Sequence, residues 1–128
     1  MRTLDLIVVH CSDSDHAHHD NVETIRGWHV DERGFNDIGY HRVITKDGTA
    51  HTGRELETIG AHALGYNLRS VGICLTGKYY FSEKQFKALR IMVNNLKQIY
   101  PTITRVIGHC DVSDKTCPNF DYKKVLGL

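Results

Sequence analysis

Two histidines and one cysteine stand at positions from which they could bind a single metal ion. His10 closes an apolar run that begins at Leu6, and His109 closes a second run that begins at Arg105. If these runs form neighbouring parallel strands, both imidazoles lie at the same edge of a sheet, where open α/β sheets usually hold their sites. A short loop after His109 can return Cys117 to the same ion. Three protein ligands that leave a fourth position for water are typical of catalytic zinc, so we predict a zinc site formed by His10, His109 and Cys117.

The same groups also suit a different kind of chemistry. A thiol with an imidazole as its base can form a covalent intermediate, so Cys117 could be a nucleophile that His109 activates. The two hypotheses differ in their response to a chelator, which should inactivate a zinc enzyme and leave a thiol enzyme active. The residue types alone leave both open.

The elements that must position these residues follow from the periodicity of apolar residues and from capping and turn residues. We predict strands at Leu6 to His10, Tyr40 to Ile44, Thr49 to His51, Val71 to Leu75 and Arg105 to His109, and helices from Val22 to about Glu32, from the capping box at Ser82 up to Pro101, and from Asp121 to Leu126. The second and third strands form a hairpin that turns at residues 46–48. Strands alternating with helices predict one α/β domain over residues 1–128, with a central mixed β-sheet flanked by helices.

Two segments between these elements invite a functional interpretation. The histidine-rich tract of residues 12–20 resembles a metal-binding sequence, but nothing in it fixes a coordination geometry, so we interpret it as a solvated loop. The connection from Arg54 to Ser70 is long and has no periodic pattern, and long ordered loops in compact domains are usually functional. Trp28 lies on the apolar face of the first helix, where we expect a core residue rather than a platform for a sugar.

Composition and charge limit the partners that we expect. The 128 residues carry 16 Lys and Arg against 15 Asp and Glu, a net charge of +1, and no basic stripe that would favour nucleic acid. Asp5 stands where a secretory signal would be apolar, and no apolar run approaches the ~20 residues of a membrane span. Cys11, Cys74 and Cys110 lie in or beside strand runs and are expected to be small buried residues rather than disulfide partners. We expect a monomer made in the cytoplasm without a signal peptide, with no membrane or nucleic-acid partner.

Six short motifs occur in the order found in one family of enzymes. They are Val9-His10-Cys11-Ser12, Ile38-Gly39-Tyr40-His41, Lys46-Asp47-Gly48, Ala61-His62-Ala63-Leu64-Gly65-Tyr66-Asn67, Ser70-Val71-Gly72 and Lys115-Thr116-Cys117-Pro118. With these motifs the chain closely resembles the type 2 N-acetylmuramoyl-L-alanine amidases, above all the lysozyme amidases of phages, and more distantly the peptidoglycan recognition proteins. The likeness runs from about Leu6 to Phe120, and six motifs in register are far more specific than any one of them.

The resemblance assigns roles to individual residues. It implies that His10, His109 and Cys117 bind Zn²⁺, that Tyr40 and Lys115 are catalytic, and that the loop with His62 and Asn67 borders the substrate groove. The implied substrate is peptidoglycan, in which the amide bond between N-acetylmuramic acid and L-alanine is hydrolysed. The implied setting is a phage or prophage endolysin that reaches the cell wall after release by a holin or after delivery.

Two further hypotheses remain beside this one. Some proteins of this fold bind peptidoglycan without cleaving it, but those members typically lack the ligand cysteine, and Cys117 is present here. A regulatory protein that binds another protein is the weaker hypothesis, because the sequence gives no positive sign of it.

Overall fold

The computed structural model describes residues 2–128. In this part of the chain the strands are β1 (Leu6–Cys11), β2 (Arg42–Ile44), β3 (Ala50–Thr52), β4 (Ser70–Leu75) and β5 (Arg105–Gly108), and the α-helices are α1 (Val22–Gly27), α2 (Glu83–Ile99) and α3 (Tyr122–Leu126). A π-helix continues α1 over Trp28–Glu32, and single 3₁₀ turns occur at Ala17–His19, Asn67–Arg69 and His109–Asp111. The predicted order of strands and helices is confirmed.

The five strands form one sheet in the order β3-β2-β4-β1-β5. β1 is parallel to both of its neighbours, β4 and β5, and β2 is parallel to β4, whereas β2 and β3 form the antiparallel hairpin. All residues of β1 and β4 are buried, as expected for parallel strands covered on both faces. The prediction of a mixed sheet in an α/β domain is therefore confirmed, and β1 carries His10 to the middle of the molecule.

Each face of the sheet packs against different elements. Ile7 and Val9 of β1 point to the side covered by α2, where they join Leu89 and Val93 in the larger core cluster. Because side chains alternate along a strand, Leu6, Val8 and His10 point to the opposite side. That side is covered by α1 and by the long loop before β4. His10 thus lies on the face away from α2, close to the segments that carry the other predicted site residues.

Capping residues fix the ends of the helices as the sequence predicts. The Asn21 side chain accepts a hydrogen bond from the Thr24 amide at 2.8 Å, so α1 begins at Val22. Ser82 and Gln85 form the expected capping box at the start of α2. The helix after Asn21 has the predicted bounds, but its second half is a π-helix. Its wider turn places His29 among the buried residues.

The bounds of all five strands differ from the prediction by one or two residues, and the differences in β2 and β5 concern site residues. Tyr40 and His41 precede β2 because their carbonyls accept hydrogen bonds from the amides of Arg54 and Gly53, both at 2.9 Å, where the chain leaves the hairpin. A side chain at position 53 would come within 2.2 Å of the Tyr40 carbonyl oxygen, so this close pairing needs Gly53. β5 ends at Gly108, and His109 opens the following 3₁₀ turn.

The cysteines and the histidine-rich tract were assigned structural roles from the sequence. All four cysteines are free, and Cys11 and Cys74 are buried as expected. The prediction that Cys110 is buried was wrong, because it lies in the exposed turn after β5 rather than in the strand. The group of three converging ligands found in residues 2–128 does not include the histidines of the tract, of which His16 and His18 are exposed and His19 is half-buried. Among the helices described, none combines the length and the apolarity that a membrane crossing requires.

Candidate active site

The structure brings His10, His109 and Cys117 together. One side-chain ligand atom of each lies within 4.8 Å of those of the other two. The pairing of β1 with β5 explains the histidines, because Val9 is opposite Gly108 and the next residue of each chain segment is a histidine. The two imidazole centroids are 4.6 Å apart. As predicted, the ends of two adjacent parallel strands bring His10 and His109 together.

Backbone hydrogen bonds hold Cys117 against both strand ends. The Cys11 amide donates to the Cys117 sulfur at 3.1 Å, and the Cys110 amide donates to the Cys117 carbonyl oxygen at 2.7 Å. Cys11 directly follows His10, and Cys110 directly follows His109. The residue after His10 thus binds the Cys117 thiol and the residue after His109 binds the Cys117 backbone, which sets the position of Cys117 relative to the two histidines.

The donor set fits zinc. Burial lowers the pKa of His10 well below its usual value, and burial together with the Lys115 ammonium lowers the pKa of His109, so both imidazoles are neutral ligands at pH 7. Two imidazole nitrogens and a thiolate suit Zn²⁺, and bond lengths of about 2.0 Å to nitrogen and 2.3 Å to sulfur place tetrahedral ligand atoms roughly 3.5 Å apart. Side-chain movements of about 1 Å would bring the observed group to that geometry.

A cavity of about 1100 Å³ opens beside these ligands. Its lining includes six of the seven residues to which the sequence assigns roles, namely His109, Cys117, Tyr40, Lys115, His62 and Asn67. The seventh, His10, is only 1 % exposed and lies beneath them. Trp28, which packs on the core as predicted, also contributes to the wall. The volume is at the upper end of the range for small-molecule sites.

Tyr40 stands next to the ligand group. Its ring centroid is 5.0 Å from that of His10, and burial, with the nearby cysteine sulfurs, raises the pKa of its phenol well above its usual value. The phenol is therefore protonated at neutral pH, and it lies within hydrogen-bond reach of the buried Cys74 thiol while the residue also lines the cavity.

His29 fixes the backbone that leads to Tyr40, a role that helical periodicity alone did not reveal. The Gly39 amide donates to His29 Nδ1 at 2.7 Å, and the His29 ring lies 5.2 Å from the Tyr40 ring. Burial, followed by the charges of Arg33 and Arg54, lowers the pKa of His29 to about 4, so the imidazole is neutral and able to accept.

Lys115 and Arg33 are the two cationic residues of the described chain that line the cavity. The Lys115 side chain is exposed, and its charge is the second cause, after burial, of the lowered pKa of His109. Ser113 shapes the loop that carries it: its hydroxyl donates to the His109 carbonyl at 3.0 Å and accepts from the Lys115 amide at 3.2 Å. The ammonium is thus held near the predicted ligands without belonging to the converging group.

His62 and Asn67 line the cavity, but their polar atoms also bind other protein groups. Asn67 Oδ1 accepts hydrogen bonds from the amides of His62 and Ala63, both at 2.9 Å. The His62 ring lies 2.8 Å from His10 through Nδ1 and 3.3 Å from the Ser70 hydroxyl through Nε2. Burial and the neighbouring His41 and His109 lower the pKa of His62 to about 3, so it too is neutral.

The long loop before β4 is fastened by a residue from the start of the chain. The Arg2 guanidinium donates to four carbonyl oxygens, those of Leu56, Asn67, Leu68 and Ser70, at 2.8, 2.8, 3.1 and 2.9 Å. Nothing in the local sequence around Arg2 indicated this role, because the bonded residues lie more than 50 positions away. The loop that forms one wall of the cavity is therefore ordered rather than free.

Only three ligand groups converge in residues 2–128, so an ion bound to them would keep one coordination position towards the cavity. An α/β fold with three converging metal-ligand groups beside a cavity has the features of a mononuclear metal-binding site.

Comparison with known proteins then gives the family. The chain belongs to the N-acetylmuramoyl-L-alanine amidase family, whose model matches residues 1–120. It is 40% identical over 126 residues to the endolysin of Klebsiella phage KP32, covering 92% of this chain and 82% of that protein. Its fold is similar to that of the N-acetylmuramoyl-L-alanine amidase LysC from Clostridium intestinale, with a TM-score of 0.89, 31% identity and coverage of 98% and 85%. The peptidoglycan recognition protein PGRP-SA of Apis mellifera is also similar, with a TM-score of 0.83, 28% identity and coverage of 98% and 82%. The resemblance seen in the motifs is confirmed.

Proposed function

We propose that this protein is a zinc-dependent amidase that hydrolyses the bond between N-acetylmuramic acid and L-alanine in peptidoglycan. The observation that carries the proposal is the convergence of His10, His109 and Cys117 beside a cavity that Tyr40 and Lys115 also line. Family membership supplies the substrate class, and the converging ligands supply the reaction type. When bound, zinc provides hydroxide at neutral pH by lowering the pKa of water from about 16 to about 7.

Lys115 is proposed to stabilise the transition state. As an amide carbonyl is attacked, its oxygen gains negative charge, and a cation that faces this oxygen lowers the barrier. The exposed Lys115 lines the cavity, and its charge is close enough to lower the pKa of His109. Arg33, the other cation of the lining, is not among the charges that act on His109. Removal of one such donor typically slows catalysis by about 100- to 1000-fold.

Tyr40 is proposed to hold and relay a proton. Its phenol remains protonated because its pKa is raised, so it can donate a hydrogen bond to a group in the cavity beside His10. The His29 contact with Gly39 limits the movement of the backbone on which Tyr40 is mounted. Proton transfer by a positioned side chain commonly contributes about 100-fold or more to a rate.

We propose that the wall formed by His62 and Asn67 borders the bound peptidoglycan fragment, with Trp28 at another part of the same cavity. The exposed side chain of Leu64 extends this wall outwards. A cavity of about 1100 Å³ has room for a sugar with the first residues of its stem peptide.

The thiol environment does not favour a cysteine nucleophile. The hydrogen bond between the Cys11 and Cys117 side chains, followed by burial, raises the pKa of Cys117, and this outweighs the opposite effect of the Cys11 amide. A protonated thiol is a weak nucleophile, whereas a metal ion draws out the thiolate as a ligand. This supports the role of Cys117 as a ligand.

The setting that we propose is that of a phage endolysin. The similar protein of Klebsiella phage KP32 is named an endolysin. We infer that the present protein is made in the cytoplasm, acts as a monomer, and reaches the cell wall after release or delivery.

The test is release of stem peptides from purified peptidoglycan. Native protein should be active, chelator should abolish activity, and added zinc should restore it. Cys117→Ser should be inactive because a hydroxyl binds zinc poorly, whereas Cys110→Ser, a free and exposed cysteine of the same segment, should remain active. Undiminished activity in chelator would favour the thiol mechanism, and binding of peptidoglycan without hydrolysis would favour a recognition module.

A further inference from the structure

The hydrogen bond between His10 and His62 determines which nitrogen of His10 can face a metal. His10 Nε2 lies 2.8 Å from His62 Nδ1. An imidazole has two ring nitrogens, so Nδ1 is the one that remains for the ion. A ligating nitrogen carries no proton, and the proton of the neutral His10 ring is therefore on Nε2. With Nδ1 bound to the ion, His10 would be the donor in this bond and His62 the acceptor.

The second nitrogen of His62 completes the chain. When Nδ1 accepts, the proton of the neutral His62 ring lies on Nε2. This nitrogen is 3.3 Å from the Ser70 hydroxyl, which can accept the bond. Donation thus runs from His10 to His62 to Ser70, and no bond in this chain requires a charged histidine.

Glycines form a slot that fits the His62 ring. A Cβ atom at Gly72 would lie 2.6 Å from His62 Cγ, and one at Gly60 would lie 2.7 Å from His62 Cδ2. Neither glycine has a positive φ, so close approach of the ring, rather than backbone conformation, explains why a side chain is excluded. Gly72 lies inside β4, where glycine ordinarily weakens a strand and commonly marks such an approach.

The backbone of His62 is fixed as well. Asn67 accepts from the His62 amide, and Asn67 itself belongs to the loop that Arg2 fastens. Ring and backbone are therefore both held, and the His62 ring stands nearly perpendicular to His10, with an interplanar angle of 85°. A side chain whose ring and backbone are both fixed in this way can orient its neighbour.

We propose that His62 is a positioning residue that fixes the tautomer and orientation of His10, so that His10 Nδ1 faces the metal. The inference rests on the proposed zinc function. It changes the role expected for His62, which acts through His10 rather than by direct contact with the substrate. Partners of this kind typically contribute about 10- to 100-fold to metal affinity.

The experiment measures the zinc dissociation constant by competition with a chelating dye. His62→Phe fills the slot but cannot accept the bond, and it should raise the constant about 10- to 100-fold. His62→Gln offers an acceptor oxygen and should recover part of the affinity. His18→Ala, an exposed histidine outside the cavity lining, is the matched control and should bind zinc like the native protein. The spectrum of bound Co²⁺ should change in His62→Phe and not in the control.

Gly72→Ala gives a second way to displace the ring should His62→Phe fail to fold. It forces the His62 ring from its slot and should weaken zinc binding in the same direction. The proposal is overturned if the native protein binds one zinc and both variants bind it within about twofold of the native constant. An increase in KM with unchanged zinc affinity would identify His62 as a substrate contact. If the native protein itself binds no zinc, the proposed function fails together with this inference.

Discussion

Replacing Asn67 by alanine tests whether this residue shapes the loop or binds the substrate. The side-chain oxygen accepts two hydrogen bonds of 2.9 Å, from the amides of His62 and Ala63. Ala63 is only 1 % exposed, so its amide would lose its partner without gaining water, at a cost of about 2 kcal/mol. The amide of the half-buried His62 can be partly hydrated, and its loss is about 1 kcal/mol.

The expected loss in the free energy of unfolding of Asn67→Ala is therefore about 3 kcal/mol. For a domain of this size, this corresponds to a decrease in Tm of about 10 °C. Thermal and urea unfolding should be measured beside KM for soluble peptidoglycan fragments. Asn67→Asp keeps an acceptor oxygen at the same position and should retain most of the stability. The reasoning is refuted if Asn67→Ala melts within about 2 °C of the native protein and shows only a raised KM.

Two more predictions concern catalysis and pH. Tyr40→Phe and Lys115→Ala should fold and keep zinc but lose turnover, and the loss for Lys115→Ala should be about 100- to 1000-fold. Lys115→Arg should restore only part of the turnover. Near-normal turnover in Tyr40→Phe and Lys115→Ala with zinc in place would contradict the assigned roles. In metal-stripped protein, the free energy of unfolding should be greatest near pH 7 and should decrease as the pH falls from about 6.5 to about 4. Burial lowers the pKa of both His29 and His41 to about 4 in the folded protein. In this pH range the unfolded chain therefore binds more protons than the folded protein, and acid favours unfolding. Each histidine contributes at most about 3 kcal/mol to this change in the free energy of unfolding. The prediction is contradicted if the urea midpoint does not change between about pH 6.5 and about pH 4, or if it changes as steeply with pH in His29→Gln as in the native protein.

The sheet and the ligand group could be predicted because they depend on regular features of the chain. An apolar run that ends in histidine predicts a strand with the histidine at its carboxyl end. Parallel pairing of β1 with β5 then places His10 and His109 side by side at one edge of the sheet. The return of Cys117 follows from the length of the loop. Capping residues such as Asn21 placed the start of the first helix for the same reason, since their effect is local.

The supporting contacts could not be predicted, because they join residues that are distant in sequence and lie in irregular segments. The bond from His10 to His62 spans 52 positions, and the bonds from Arg2 reach across 54 to 68 positions. The π-helix at Trp28–Glu32 is only five residues long, and over so few residues its apolar periodicity cannot be distinguished from that of an α-helix. The prediction for Cys110 was wrong because β5 ends at Gly108, and two residues later the 3₁₀ turn directs this side chain outwards.

The measurement that tests the central claim most directly is a titration of metal-stripped protein with zinc, followed by the rate of stem-peptide release from purified peptidoglycan. Three converging ligands define one site per chain, so the rate should rise in proportion to added zinc and stop rising at one equivalent. Full activity of the stripped protein before any zinc is added would contradict the account.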